Sequence, residues 1–271
     1  MTARAAHAGK NLCSLLEFAN VSVIRGDKRV LDAVTLEISD GENVAILGPN
    51  GAGKSSLIKA ITREYYPVMT DGPVTFKVRG KEAWDVFDLR SSIGIVSNDL
   101  QYTFTREITG REVVISGFFS SVGLFNRVVT REMEEKTGEI LRFLEIDRLS
   151  DRPMNTLSSG EARRFLIGRA LVFDPATLIL DEPTNSLDLH SLHTFREIIR
   201  KIAQSGTGII LVTHNLHDII PEISRVVMMS GGRVCGDGKK DAMLTDEKIG
   251  RLFSVPVHVQ SKNGWYYATG Y

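Results

Sequence analysis

A glycine-rich loop at residues 48–55 is the stretch whose residue types and spacing point most directly to chemistry. It follows Val44–Leu47, an apolar run with the pattern of a buried strand. Glycines let backbone N–H groups approach phosphate oxygens, and a helix that begins near Gly53 would turn the positive end of its dipole toward them. Lys54 is then placed to reach the outer phosphates of a nucleotide, and the Ser55 hydroxyl to bind Mg²⁺. The expected contact residues are Gly48, Pro49, Asn50, Gly51, Ala52, Gly53, Lys54, Ser55 and Ser56.

A capped helix, a buried strand and an acidic pair follow one another in the second half of the chain. Ser158 and Glu161 have the spacing of a capping box, and apolar residues recur after them at helical intervals. Leu178–Leu180 then has the pattern of a buried strand, and it ends in Asp181 and Glu182. Taken without the rest of the chain, this stretch could equally be a capped helix and a core strand that ends in two solvated charges. The phosphate loop upstream favours a catalytic interpretation.

The composition is that of an ordinary globular protein. The chain has 271 residues, of which 42% are hydrophobic and 24% charged, so it can bury a sizeable core. Its 33 basic residues balance its 33 acidic residues, which argues against nucleic-acid binding. The two cysteines, Cys13 and Cys235, lack metal-binding spacing and suit a reducing cytosol, although sequence alone does not exclude a disulfide. No apolar run has the length of a membrane span, and residues 1–10 do not resemble a signal peptide.

In their order and spacing, these stretches resemble the ATP-binding-cassette (ABC) ATPases. The matching segments are Walker A at 48–55, the signature motif at 157–161, Walker B at 178–182, the D-loop at 186–188 and a switch histidine at His214. The resemblance implies an α/β fold of the P-loop NTPase type, with a mostly parallel core sheet, an antiparallel β-subdomain and an inserted helical subdomain at about residues 102–172. We expect residues 1–11 to form a flexible tail and residues 12–271 to form a single nucleotide-binding domain.

The resemblance also implies a role for each motif residue in ATP hydrolysis. Asp181 would hold Mg²⁺ through water, and Glu182 would act as the general base on the attacking water. His214 would contact the γ-phosphate, although a capping neighbour or a metal pair with His217 are alternatives for a histidine at this place. In a head-to-tail homodimer, Ser158 and Gly160 of one protomer would close over the γ-phosphate held by the other.

Three positions depart from the family pattern. Arg25 stands where an aromatic residue usually stacks on adenine; a guanidinium can stack as well, and a solvated turn arginine is the alternative. Strict register places Asn98 where the Q-loop glutamine is expected, with Gln101 three residues later. Either amide could bind Mg²⁺ or orient the attacking water, and we favour Gln101. The alternative is that both are ordinary loop residues without a role in the site. Ser159 replaces the usual glycine of the signature motif.

Two function classes fit this resemblance. In the first, the chain is the energy-coupling subunit of an importer, lies on the cytoplasmic face of a membrane, and binds a separate permease in the groove between its lobes. In the second, it is a soluble ABC ATPase that remodels another complex. Residues 25–27, 116–119 and 157–164 look like the molybdate-transport-ATPase-like branch. Phe118, Phe119 and Phe125 would face the partner, although packing inside the helical lobe explains them equally well.

Overall fold

The computed structural model describes residues 14–68, 72–97, 108–124 and 126–270. Five of the residues and segments considered above lie outside these ranges: the tail at residues 1–11, Cys13, Asn98, Gln101 and Phe125. Two predicted features of the site, the Q-loop amide and one of the partner-facing aromatic residues, therefore stay predictions. In the described part of the chain no helix has the length and apolar character needed to cross a membrane.

A three-stranded antiparallel sheet forms the N-terminal part of the molecule. Its strands are β1 (Ser14–Arg25), β2 (Lys28–Ser39) and β4 (Thr75–Val78), in the order β2-β1-β4. The turn between β1 and β2 has Gly26 at a φ of +58°, a conformation that glycine adopts at little cost. Apolar residues alternate along β2 and bury one face of the sheet, as a period of two requires.

A six-stranded sheet forms the core, in the order β5-β6-β7-β3-β8-β9. The strands are β3 (Val44–Leu47), β5 (Ile93–Val96), β6 (Thr177–Asp181), β7 (Gly208–Thr213), β8 (Arg225–Ser230) and β9 (Arg233–Lys239). All neighbouring pairs are parallel except β8 and β9, which form an antiparallel hairpin. Strands β3 and β7 are buried along their whole length, as expected of continuous apolar runs covered on both faces. The predicted mostly parallel core is confirmed.

Helices cover both faces of this sheet. Their bounds are α1 (Lys54–Ile61), α2 (Val86–Ser92), α3 (Gly110–Ser116), α4 (Arg131–Phe143), α5 (Ser159–Leu171), α6 (Leu189–Gln204), α7 (Lys240–Met243) and α8 (Asp246–Phe253). Helices α3, α4 and α5 pack on one another in the region expected to be helical. Thr109 and Thr130 cap α3 and α4 through their side chains.

Helix α1 is shorter than the sequence suggests. Its apolar pattern predicts a helix that runs to a break at Tyr65, but the helix ends at Ile61. Arg63 has a φ of +62°, outside the helical region, and its guanidinium donates hydrogen bonds to the carbonyl oxygens of Phe76 and Lys81. These contacts bind the end of α1 to the antiparallel sheet.

The C-terminal aromatic segment is a β-hairpin rather than an unstructured tail. Strands β10 (His258–Lys262) and β11 (Trp265–Thr269) pair in antiparallel fashion. Tyr266 is buried and donates a hydrogen bond to Asp241. Desolvation raises the pKa of its phenol to about 12, and the contact with Asp241 acts in the same direction. Tyr266 belongs to the main hydrophobic cluster, so the hairpin packs on that core.

Candidate active site

Three parallel strands bring the motif residues to one edge of the core sheet. Leu47 of β3 lies opposite Thr213 of β7, and Asp181 of β6 lies opposite Val212 of β7. The phosphate loop, the acidic pair and His214 each follow one of these strand ends. Because the carboxyl ends of neighbouring parallel strands open onto the same crevice, residues far apart in sequence meet there.

The phosphate loop adopts a conformation that only glycines allow at two positions. Gly51 and Gly53 have φ angles of +78° and +99°. A Cβ atom at Gly53 would lie 2.8 Å from the carbonyl oxygen of Val30, and one at Gly48 would lie 2.3 Å from that of Met229. Gly53 is the N-cap of α1 and no side chain caps this helix end. Its first N–H groups are therefore available to an anion, as a phosphate site requires.

Lys54 is held at the centre of the loop. Its side chain is only 4% exposed, and its Nζ donates hydrogen bonds to the carbonyl oxygens of Gly48 at 2.8 Å and Pro49 at 3.0 Å. The same Nζ lies 3.3 Å from Oε1 of Glu182. A buried ammonium between the loop and the acidic pair supplies the positive charge that a triphosphate needs.

Glu182 occupies the position expected of a catalytic base. Its φ of +47° is uncommon for a non-glycine residue and turns the chain sharply at the end of β6. Asn185 donates a 2.8 Å hydrogen bond to its Oε2, and Nδ1 of His214 lies 3.4 Å from its Oε1. Burial on its own would raise the pKa of this carboxyl, but Asn185, Lys54 and His214 together lower it below its ordinary value. Glu182 is therefore ionised at neutral pH, the form that can accept a proton.

The site suits a magnesium ion by the chemistry of its donors. The Ser55 hydroxyl and the carboxylates of Asp181 and Glu182 line one cavity of about 600 Å³. Hydroxyl and carboxylate oxygens are the hard donors that Mg²⁺ takes, usually one or two of them with substrate phosphates and water. The ion would neutralise the charge on the transferred phosphoryl group, with Ser55 and Asp181 on its protein side.

The signature motif has the local structure that its sequence predicts. Ser158 accepts a hydrogen bond from the Glu161 N–H at 3.2 Å, and the Glu161 carboxylate accepts one from the Ser158 N–H at 2.8 Å. The capping box is confirmed. A Cβ at Gly160 would lie 2.8 Å from Cβ of Ser191, so this glycine lets α5 approach the first turn of α6. Ser158 itself is exposed at the helix N-terminus.

The signature helix is bound to the segment between Walker B and the D-loop of the same chain. Arg163 is buried on α5 and donates hydrogen bonds to the carbonyl oxygens of Pro183 and Asn185. Movement of this helix therefore pulls directly on the segment that follows Glu182. Sequence reasoning did not single out Arg163 or Asn185. The three-residue interval between Glu182 and Asn185, at a turn, is the only signal that could have identified the amide.

Arg25 lies against an aromatic ring of its own chain. It is exposed at the end of β1, and its guanidinium carbon is 4.6 Å from the ring centroid of Tyr65. Lys59 approaches the same ring at 5.7 Å. The cation at the predicted adenine position is thus supported by an aromatic residue of the same chain.

The apolar surface of the cavity is formed by residues other than those expected. Phe118 packs partly buried against the helical core, with its ring centroid 5.6 Å from that of Phe173, so the core-packing alternative fits it best. Phe173, which follows the end of α5, is 44% exposed and lines the cavity beside Val122 and Ile95. The helical periodicity misses this because α5 ends at Leu171.

A metal pair at His214 and His217 finds no support. Among the described residues no group of three or more histidine, cysteine or carboxylate side chains has the geometry of a metal site. His217 instead turns its ring toward Tyr267, with 5.0 Å between the centroids. His214 faces Glu182, which leaves the switch role as the prediction for this residue.

Comparisons with known proteins agree with this geometry. The family model for the ABC transporter matches residues 31–185. The ABC transporter ATP-binding protein YlmA of Bacillus subtilis is 34% identical over 247 residues, 90% of this chain and 93% of the relative. The hemin import ATP-binding protein HmuV of Bradyrhizobium diazoefficiens is 31% identical and covers 93% of both chains. The Nod factor export ATP-binding protein I of Sinorhizobium fredii is 36% identical over 87% of this chain and 65% of its own length.

Solved structures show the same fold. The ADP conformation of MJ1267, an ATP-binding cassette of an ABC transporter, superposes with a TM-score of 0.74 at 25% identity and covers 89% of this chain and 98% of that one. A dimeric post-hydrolysis state of the cassette MJ0796, bound to ADP and phosphate, superposes with a TM-score of 0.66 at 26% identity, with coverage of 83% and 98%. The names of these relatives and structures do not refer to molybdate, so the branch stays a prediction. The chain belongs to the ABC transporter family and is an ATP-hydrolysing ATP-binding protein that uses Mg²⁺.

Proposed function

We propose that this chain is the ATPase subunit of a transporter, and that it couples the closing of a head-to-tail homodimer to the movement of a separate membrane permease. The observation that carries the proposal is that Lys54 and His214 both contact Glu182 at the sheet edge, at 3.3 Å and 3.4 Å, in a chain of this family. A candidate phosphate site and a candidate base lie side by side, which supports turnover once a second protomer completes the site.

Each residue of the site has one task in this proposal. Lys54 and the N–H groups at the start of α1 bind the phosphates, and Ser55 and Asp181 hold the magnesium ion. Glu182 accepts the proton of the attacking water, and His214 contacts the γ-phosphate. Ser158 and Gly160 of the second protomer complete the site. Bulk water is therefore excluded from it only when the dimer closes.

The partner surface we propose is the groove between the core sheet and the helical lobe. Its wall combines Ile95 of the sheet with Val122 and Phe173 of the lobe, and Asp181 and Glu182 line the same cavity. An exposed aromatic side chain beside charged groups is typical of the anchor of a protein interface. A permease segment seated here would sense rearrangement of the acidic pair, and the chain would lie on the cytoplasmic face of the membrane.

Fractionation of the native cell tests this assignment. We expect the wild-type chain to be recovered with membranes and a multi-span protein, and Phe173→Asp to lose most of this association because a charge would be desolvated in the interface. Val255→Asp is the matched control, since Val255 is 41% exposed and does not line the groove. Recovery of the wild-type chain entirely without membrane proteins would favour the alternative, a soluble ABC ATPase that remodels another complex.

The direction of transport in the proposal is import. This choice is supported by the relative HmuV, which is named as an import protein and matches over 93% of both chains. The relative from Sinorhizobium fredii is named for export, but this chain covers only 65% of it. Uptake of candidate substrates into cells that lack the gene, compared with complemented cells, decides between the two directions.

Adenine recognition through Arg25 gives a separate prediction. With one face against Tyr65, the guanidinium has a second face on which a purine can stack. Arg25→Ala is expected to raise the KM for ATP by about two- to fivefold, since an exposed cation–π contact contributes on the order of 0.5–1 kcal/mol. Arg25→Tyr should restore it. Steady-state kinetics measure both, with Arg29→Ala as the control, and an unchanged KM in Arg25→Ala would leave Arg25 as a surface residue.

A further inference from the structure

A buried carboxylate outside the recognised motifs joins the two loops of the site. Asp218 ends a short 3₁₀ turn after β7, and its side chain is 2% exposed. Its Oδ2 accepts a hydrogen bond from Oγ1 of Thr213 at 2.6 Å and another from Oγ1 of Thr184 at 2.7 Å. Thr213 immediately precedes His214, and Thr184 is two residues beyond Glu182. One oxygen atom therefore links the segment of the base to the segment of the histidine.

This link is costly for the fold. Burial raises the pKa of Asp218, although the hydroxyl donors and nearby cations act in the opposite direction. The nearest cation is Arg196, whose NH2 group lies 4.0 Å from Oδ1, longer than a hydrogen bond. A buried carboxylate with a distant counter-ion generally contributes less to stability than an apolar side chain of similar size. A contribution to fold stability therefore does not by itself explain why an aspartate stands at position 218.

The C-terminal hairpin encloses the same carboxylate from outside. The guanidinium of Arg196 lies over the ring of Trp265, with 5.1 Å to its centroid, and the ring of His217 lies against that of Tyr267. Burial lowers the pKa of His217, so this ring is neutral at neutral pH and adds no charge beside Asp218. Arg196 is then the cation that faces Asp218 from α6, and the aromatic residues of β11 cover it.

We propose that Asp218 is a positioning residue, which fixes the distance between Glu182 and His214 by holding both of their loops through Thr184 and Thr213. The inference rests on the proposed roles of Glu182 and His214 in hydrolysis. Oε1 of Glu182 lies 3.4 Å from Nδ1 of His214, and no direct hydrogen bond at ordinary length fixes that pair. The strand ends stay joined by the hydrogen bond from the Glu182 N–H to the Val212 carbonyl oxygen. If the shared acceptor is lost, the segments beyond that bond lose their side-chain link, and the base no longer faces the attacking water.

The expected result of Asp218→Ala is a fall in kcat of about ten- to a hundredfold, because a displacement of about 1 Å at a reacting group costs on that order. The KM for ATP should stay within about twofold, since the phosphate loop does not contact Asp218. Thr184→Val and Thr213→Val should each lower kcat in the same way. Thr184→Ser and Thr213→Ser, which keep the hydroxyl donor, should retain wild-type kcat.

Non-additivity separates positioning from a structural role. If Asp218 acts through the two hydroxyls, the triple variant Asp218→Ala, Thr184→Val, Thr213→Val should turn over no more slowly than Asp218→Ala alone. Multiplied losses, or equal losses in the serine and valine variants, would overturn the proposal. If Asp218→Ala does not fold, the two pairs of threonine variants decide the question alone.

The proposed roles can fail separately from this inference. Wild-type turnover in Glu182→Gln would remove the base on which the positioning argument rests. An inactive Glu182→Gln together with wild-type kcat in Asp218→Ala and in both valine variants would leave the base in place and refute the positioning role alone.

Discussion

Replacement of Glu182 by glutamine is expected to lower the turnover of ATP by about a hundred- to ten-thousandfold, the range that a general base contributes. The amide keeps the size of the carboxyl and the contact with Asn185, but it does not accept a proton. Binding of ATP should be retained or slightly strengthened, because a negative charge next to the phosphates is removed. Single-turnover hydrolysis and equilibrium nucleotide binding measure the two effects separately.

A matched control is available at Glu197. It lies exposed on α6, where it pairs with Arg200, and Glu197→Gln removes a surface carboxylate without touching the site. We expect wild-type turnover in this variant, since exposed ion pairs contribute little. If Glu182→Gln hydrolyses ATP at the wild-type rate, another group is the base and the assignment of Glu182 is wrong.

Replacement of Lys54 by alanine is expected to weaken nucleotide binding by about ten- to a hundredfold, since a hydrogen bond to a charged group contributes about 1.5–3 kcal/mol. The change also removes one of the interactions that lower the pKa of Glu182, so the pKa of that carboxyl should rise. Titration with a fluorescent ATP analogue measures the affinity. Lys201→Ala, at an exposed lysine on α6, controls for the loss of a positive charge.

The two outcomes differ in kind, and this makes the pair informative. Lys54→Ala should lose affinity, while Glu182→Gln should keep affinity and lose chemistry. Wild-type affinity in Lys54→Ala would mean that the ammonium, which also contacts the carbonyls of Gly48 and Pro49, serves the loop and not the ligand.

The parts of the site that sequence predicts are those set by local structure. The phosphate loop needs glycine at positive φ at Gly51 and Gly53, and such a requirement is visible in the sequence. The capping box at Ser158 and the buried runs of β3 and β7 are likewise local signals. Because parallel strands end at one edge, these local features also predict that Asp181 and His214 meet.

The parts that sequence does not predict depend on contacts between distant segments. The stacking of Arg25 on Tyr65 joins β1 to the end of α1, and neither residue type indicates the other. Asp218 reads as an ordinary polar residue after a strand, and only the fold brings Thr184 to it. The hairpin at Trp265 lacks a strong period because β10 buries no residue and β11 buries only Tyr266. In each case tertiary contacts, which a linear pattern does not encode, determine the outcome.

The dimer is the central claim, and the sedimentation of Glu182→Gln with and without ATP and Mg²⁺ tests it most directly. We predict a monomer without nucleotide or with ADP, and a stable dimer with ATP. A double variant that carries Ser159→Glu together with Glu182→Gln should not form that dimer, because the new negative charge faces the phosphates bound by the partner. The change keeps the Ser158 cap, and a glutamate is favourable at a helix N-terminus. Arg131→Glu, at the first residue of α4, is the control and should leave the dimer intact. A Glu182→Gln chain that stays monomeric with ATP, or a dimer that survives Ser159→Glu, would contradict a site shared between two protomers.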